Sequence, residues 1–316
     1  MSEYALTEML RYKRPEGSKT QLEFCKRFLE PTFGAPDRHG NYVFTVLEAN
    51  GEHPVMCFTA HHDTVHRLDG YQDLVVEGDI VKAVDSNCLG ADCTTGVWLV
   101  LGMIGAKVPG VYVVHAGEEV GCVGSRALVK DDPDWLYKVW SVVSFDRRGK
   151  DSIVTHQMGR RTASDTFAKS LAGVIGIPTL KPDNSGVYTD SNEYAQVVPE
   201  CTNISVGYYG QHTSNESQDI SYAYTLLEHL IKADWSEVVF ERDETVEETE
   251  EDMFDSGWYE PQGQFRRDSN YSNLSELVRD YPEEIASLLE DWGVDAEYLW
   301  NQIGELSFST DYRRVG

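Results

Sequence analysis

Five places along this 316-residue chain carry side chains able to bind metal ions or move protons: His61 with Asp63, Asp92, Glu118 with Glu119, Asp146, and His212. Each lies just after a predicted strand or at a predicted helix start. In open α/β sheets such positions gather at the carboxyl edge of the strands, so residues distant in sequence can meet there. Three carboxylates (Asp92, Glu119, Asp146) and two neutral imidazoles (His61, His212) carry about three negative charges, which two divalent cations and one bridging hydroxide would balance. Asp92, whose two oxygens can each face one ion, is the central ligand by order. His61 and Asp146 then complete one metal site, Glu119 and His212 the other. Nitrogen and oxygen donors without thiolate suit zinc, and also admit manganese or cobalt.

Two further acids have other work. Residues i and i+2 of an extended segment point the same way, so the Asp63 carboxylate can accept the free N–H of His61 and fix its tautomer. Glu118 is the expected general base, taking a proton from water and passing it to a leaving amine. His62, His66 and His115 read as ordinary structural histidines, and Cys93 and Cys122 as packing thiols. Tyr188, Asp190, Tyr208 and Tyr209 stand near turns, where pocket lining and core packing suit them equally; Asp190-Ser191 also suits a helix N-cap.

Hydrophobic periodicity supplies the elements that position these groups. Residues Leu6 to Tyr12 and Ser18 to Leu29 have helical spacing, the second run stopping at Pro31. The run from Asn41 to Leu47 reads as a strand, with Val55 to Thr59 as its buried neighbour leading into Ala60-His61-His62-Asp63-Thr64-Val65. Leu74 to Val76 and Ile80 to Ala83 fit a hairpin, and Asp92 stands at the junction before a helix from Thr94 to Ile104. Val111 to Val114 and Val139 to Val143 are near-continuously apolar, as strands covered on both faces are. Ile153 to Thr155 reads as an edge strand, Ser164 to Leu171 as a helix, Lys181 to Gly186 as a turn, Asn192 to Gln196 as a short helix and Asn203 to Val206 as a strand. Thr213 and Glu216 form a capping box for a helix reaching about Trp235.

This alternation places residues 1–240 in the α/β class, as a three-layer α/β/α sandwich with a mixed, mostly parallel sheet. Residues 241–270 begin with an acidic run expected to be a solvated linker. Residues 271–316 are expected to form a small helical unit, suited to partner docking, to oligomerisation or to packing back on the first domain.

With 27 basic and 53 acidic residues, the formal charge of −26 argues against nucleic acid and anionic membranes as partners. No stretch approaches the ~20 apolar residues of a membrane span, and the first residues lack a signal-peptide pattern, so the expected location is the cytoplasm. Cys25, Cys57, Cys88, Cys93, Cys122 and Cys201 are scattered without a CxxC pair, which favours reduced thiols.

Taken in order, the motifs resemble the co-catalytic di-zinc exopeptidases, a family that includes leucyl-type aminopeptidases, the bacterial tripeptidase and glutamate carboxypeptidases. The resemblance covers residues from about 18 to 235 and rests on Ala60 to Val65, Leu89-Gly90-Ala91-Asp92-Cys93-Thr94-Thr95-Gly96, His115-Ala116-Gly117-Glu118-Glu119-Val120-Gly121, Phe145-Asp146, and Gly210-Gln211-His212-Thr213-Ser214-Asn215-Glu216. It implies the ligand roles set out above, and hydrolysis of a peptide bond by hydroxide held between two metals, with Glu118 as base. The tripeptidase branch commonly has a second acid where this chain has Cys93. A lid domain would lie between Asp146 and His212, an interval too short for one. The single-domain aminopeptidase branch is therefore the nearest, and Asp rather than Glu at position 146 resembles aminopeptidases more than carboxypeptidases. Arg147-Arg148 follows Asp146 with no role legible from the resemblance, and one guanidinium could hold a substrate carboxylate. The expectation is a cytoplasmic aminopeptidase for short peptides. Its rivals are an amidase or deacylase using the same site and a non-catalytic binding protein of the same fold.

Overall fold

A computed structural model describes residues 5–246 and the isolated positions Val278, Ile285 and Leu289. The chain divides into units Met1–Tyr259 and Glu260–Gly316, and the fold below is that of the first. The expected helical unit at 271–316, and the expected linker beyond residue 246, lie outside the described residues apart from those isolated positions. Among the described residues no helix is long and apolar enough to cross a membrane.

Helices α1 (Leu6–Met9), α2 (Lys19–Phe24) and α3 (Glu30–Phe33) come first. Ser18 caps α2 by accepting the Gln21 N–H. The helix expected to stop at Pro31 instead runs through it. A π-helical turn, Cys25–Leu29, joins α2 to α3 and places Pro31 in a first helical turn, where the missing N–H leaves no bond unmade. The first helix ends early, and Tyr12 and Lys13 pair with Tyr71 and Gly70.

There follow β1 (Tyr42–Val46), β2 (Met56–His61), β3 (Leu74–Glu77), β4 (Ile80–Ala83), α4 (Ala91–Gly105), β5 (Gly110–His115), α5 (Val123–Asp131) and β6 (Ser141–Arg147). The rest comprises β7 (Ser152–Val154), α6 (Asp165–Ile175), β8 (Lys181–Asp183), α7 (Asp190–Glu193), β9 (Glu200–Ser205), β10 (Tyr208–Tyr209), β11 (Ser217–Asp219) and α8 (Ile220–Lys232). The seven-stranded central sheet has the order β8-β7-β9-β6-β2-β5-β1. Its β9-β6-β2-β5 core and its β8-β7 pair are parallel, whereas β1 and β7 run against their inner neighbours, giving the mixed, mostly parallel sheet expected. A second sheet, β10-β11-β4-β3, is antiparallel.

Strand alternation builds the sandwich. Phe58, Tyr112, Val114, Val143 and Phe145 point into one core with α4, α6 and α8, while Cys57, Val111, Val113 and Val142 point into another with Leu128 of α5 and Tyr194. Helix α4 is buried from Ala91 to Ile104, as an all-round apolar helix must be. It lies so close to β6 that a Cβ on Gly96 would come within 2.3 Å of the Phe145 carbonyl oxygen.

Several local expectations are corrected. Strands β1 and β2 are not neighbours, because β5 lies between them. Strand β2 is buried along its whole length and needs an interior place, whereas half-buried β1 suits an edge. The expected edge strand at Ile153 is interior, and Lys181-Pro182-Asp183, read as a turn, is the edge strand β8, where a proline costs no ladder bond. Thr213 and Glu216 do not cap α8; that role belongs to Asp219, which accepts the Tyr222 N–H. The run read as a solvated spacer is tied down at its start. Buried Glu200 accepts the N–H groups of Glu241 and Arg242, both at 2.8 Å, and the Arg242 guanidinium donates to the carbonyls of Ala195 and Pro199.

Candidate metal centre

Strands β5, β2 and β6 are adjacent and parallel, so their carboxyl ends emerge together. His61 is the last residue of β2, paired with His115 of β5, and Asp146 is the penultimate residue of β6 rather than lying beyond it. Glu118 and Glu119 follow β5, Asp92 stands at the start of α4, and His212 follows β10 with its backbone in the left-handed region at φ 64°.

All five sequence-predicted ligands converge, and Asp92 divides them. Its Oδ1 lies 3.1 Å from His61 Nε2, which is 3.4 Å from Asp146 Oδ1. Its Oδ2 lies 3.2 Å from His212 Nε2, which is also 3.2 Å from Glu119 Oε2. Glu118 Oε2 stands 3.8 Å from His61 Nε2. Donors at the corners of a tetrahedron around zinc, with bonds of ~2.0 Å, are about 3.3 Å apart, so both halves have a fitting span. Among the described residues Glu119 Oε1 has no hydrogen-bond partner, and the 3.2 Å contacts of His212 Nε2 lack hydrogen-bond geometry, another mark of donors arranged for a metal rather than for each other. The Cys93 thiol, within reach of His61 and Asp146, donates to the Phe145 carbonyl at 3.2 Å.

The supports are specific. Asp63 is fully buried, its Oδ1 3.3 Å from His61 Nδ1, and its two oxygens accept the N–H groups of Glu118 at 3.1 Å and Glu119 at 3.0 Å. It thus holds a ligand ring and the backbone of two more site residues, where the sequence suggested only the ring. Asp146 is held by the Thr189 hydroxyl at Oδ2 (2.8 Å), by the Tyr208 hydroxyl at its carbonyl (2.9 Å), and by the Asn203 amide at both backbone groups. Glu216 accepts the N–H groups of Leu89, Gly90 and Asp92. Sequence reasoning missed Glu216, Thr189 and Asn203 as site residues. Only Glu216 leaves a trace in the sequence, an acid four residues after His212 at the spacing of a helix capping box.

The acids are crowded. Burial, and then the Asp92 charge, push Asp146 up to about 7, and burial raises Glu118 well above the ordinary carboxylate range and Glu119 less far. Burial opposes ionisation of Asp92 as well, yet the imidazoles of His212 and His61 hold it well below its usual range. A site with this much competing negative charge is one that divalent cations relieve.

Neighbouring groups take structural parts. His62 meets Gln21 and the Gly40 carbonyl, His66 meets Thr64 and Gln72, and His115 meets Asn41 and Tyr194. Burial lowers His62 and His66 to about 4 and His115 to about 3, so all three are neutral. Asp190 is the first residue of α7 and accepts the Ser125 hydroxyl rather than capping the helix. Tyr188 bonds with Arg126 and Glu193. Arg147 is not free for a substrate: Nη2 donates to Asp183 at 3.0 Å and to the Ser185 hydroxyl at 2.9 Å. Arg14, fully buried over the Phe24 ring, donates to the His62 carbonyl at 2.9 Å and the Thr94 hydroxyl at 2.8 Å, beneath the ends of β2 and α4.

The fold is an α/β/α sandwich with a divided cluster of candidate metal donors at its sheet edge. No family model matches the chain, and no curated protein matches it in sequence. Solved structures do match in fold. The aminopeptidase PepT of Bacillus cereus is 16% identical, with a TM-score of 0.57 over 74% of this chain and 96% of that one. A tripeptidase of Staphylococcus aureus is 14% identical, with a TM-score of 0.58 over 72% and 95%. The TET1 peptidase of Pyrococcus horikoshii, which can assemble into a tetrahedron or a large octahedral shell, is 14% identical, with a TM-score of 0.56 over 73% and 100%.

Proposed function

We propose that this chain is a co-catalytic metallo-exopeptidase, an aminopeptidase hydrolysing short peptides, with two zinc ions as resident metals and manganese or cobalt as substitutes. The observation that carries the proposal is the division of Asp92, one oxygen facing His61 and the other facing His212. The shared fold of aminopeptidases and a tripeptidase supports it. In this reading His61 and Asp146 would hold one ion, Glu119 and His212 the other, and Asp92 would serve both.

Metal ions bound there would polarise the scissile carbonyl and acidify the attacking water. Glu118 takes a proton from that water and hands it to the leaving amine. Its carboxylate stands 3.8 Å from His61 Nε2, within reach of a water in the cluster. Asp63 fixes the spacing between this base and the His61 ring. The interval from Asp146 to His212 is occupied by β7, α6, β8, α7, β9 and β10 of the fold itself. Six unpaired cysteines suit the cytoplasm.

Metal analysis of the purified protein, paired with hydrolysis of a peptide panel by wild type and Glu118→Ala, tests the proposal. Two divalent ions per chain and a turnover loss of about 100-fold or more are expected. A folded protein prepared without chelators that holds no metal would overturn it. Turnover of N-acyl amino acids with none of aminoacyl amides would move the site to deacylase chemistry.

A further inference from the structure

The Glu118 carboxylate is divided as that of Asp92 is. Its Oε2 stands 3.8 Å from His61 Nε2, and its Oε1 accepts the Cys122 thiol, with Sγ 3.7 Å away. The backbone joins the same two residues, because the Glu118 carbonyl accepts the N–H groups of Gly121 and Cys122, both at 2.9 Å. Asp63 accepts the Glu118 N–H at 3.1 Å. Main-chain bonds therefore fix the Glu118 backbone on both sides of its Cα, and the thiol reaches the carboxylate oxygen that His61 does not meet.

Cys122 keeps this place at a cost. Its backbone lies in the left-handed region, at φ 55° and ψ 38°, where a Cβ crowds the following carbonyl. Gly121 beside it also has a positive φ, 103°, and glycine takes such angles freely. A second glycine would spare position 122 the crowding but would leave Glu118 Oε1 without its thiol. The Cys122 side chain is buried, 1% exposed, and an S–H is a weak donor. It can aim a carboxylate without gripping it, as suits a group that takes a proton in one place and gives it up in another.

We propose that Cys122 is a positioning residue for the general base, its thiol holding Oε1 so that Oε2 of Glu118 stays turned towards the cluster. The proposal rests on the peptidase reading and adds to it a residue that acts through Glu118 alone. Losing the thiol frees the carboxylate to rotate, which slows proton transfer and leaves substrate and metal binding as they were.

The test uses full-length, zinc-loaded wild type, Cys122→Ala, Glu118→Gln and the double variant, with Leu-Gly-Gly as substrate. Cys122→Ala should lower kcat about tenfold, with KM and bound zinc unchanged. In the Glu118→Gln background, where the base is absent, Cys122→Ala should lower kcat no further. Cys122→Gly, which suits the left-handed backbone, replaces the alanine variant if that one does not fold. A second readout needs neither zinc nor turnover: in metal-free protein the S–H Raman band that disappears with Cys122 should shift in Glu118→Gln. An unchanged kcat in Cys122→Ala, a loss that comes through KM or bound zinc, an equal loss in both backgrounds, or an S–H band indifferent to Glu118 overturns the proposal. If wild type turns over no peptide, the peptidase reading fails on its own, and the Raman band alone decides whether the thiol holds Glu118.

Discussion

The Glu216 carboxylate accepts the backbone N–H of Asp92 at 3.1 Å, and its other oxygen takes the N–H groups of Leu89 and Gly90 at 2.7 and 2.8 Å. Donors at the head of a helix have no acceptor within it. Here they are satisfied by a side chain from the loop that also carries His212. The same loop therefore presents one candidate ligand and clamps the backbone of another.

Replacing Glu216 by Gln keeps the shape but turns one acceptor into a donor facing those N–H groups. Metal affinity, read by competition with a chromophoric chelator, should fall by about 10- to 100-fold. An unchanged affinity would mean that Asp92 keeps its orientation without help.

Asp63→Ala removes the acceptor of two buried N–H groups and the support of the His61 ring. Stability in urea should fall by roughly 2–4 kcal/mol, the cost of leaving such donors unsatisfied, and metal affinity by about 10- to 100-fold. Asp63→Asn, which keeps one acceptor oxygen, should fall between. A loss of stability with full metal affinity would confine Asp63 to holding the Glu118–Glu119 turn.

The metal-free protein should lose stability as the pH rises. Asp146 and Glu216 are both raised to about 7, by burial first and by Asp92 second. In the unfolded chain both ionise near pH 4, so between about 4 and 7 the folded state holds protons that the unfolded state has released. Their contribution is complete below that window and is lost as the pH passes about 7. Asp92 and Asp63 are shifted the other way, and their contribution is lost only as the pH falls below the ordinary carboxylate range. Thermal melts of chelated protein should therefore drop from pH 5 to pH 8, and zinc should remove the drop. A chelated protein that gains stability over that interval would show that these acids are ionised in the fold.

The strands β2, β5 and β6 were legible because each is apolar almost without break, and their terminal residues announced the cluster. What escaped had non-local causes. Glu216 lies three residues after Thr213, the spacing of a capping box, and nothing near it in sequence reveals that its partners are Leu89, Gly90 and Asp92. Pro182 looked like a turn residue because an edge strand and a turn tolerate proline for the same reason, the absence of a needed donor. Pro31 suggests a stop because the π-helical turn that ends two residues before it leaves no simple periodic mark. Glu241 and Arg242 looked solvated because their acceptor, Glu200, lies some forty residues upstream on β9.

Arg14 bears on what holds the N-terminal segment in place. Its guanidinium has one acceptor at the end of β2 and another, Thr94, that is synthesised 80 residues after it. Burying a cation without both acceptors is costly, so the native place of the N-terminal segment depends on α4 being present. One buried cation thus ties the first residues of the chain to the strand that ends in His61 and to the helix that begins beside Asp92.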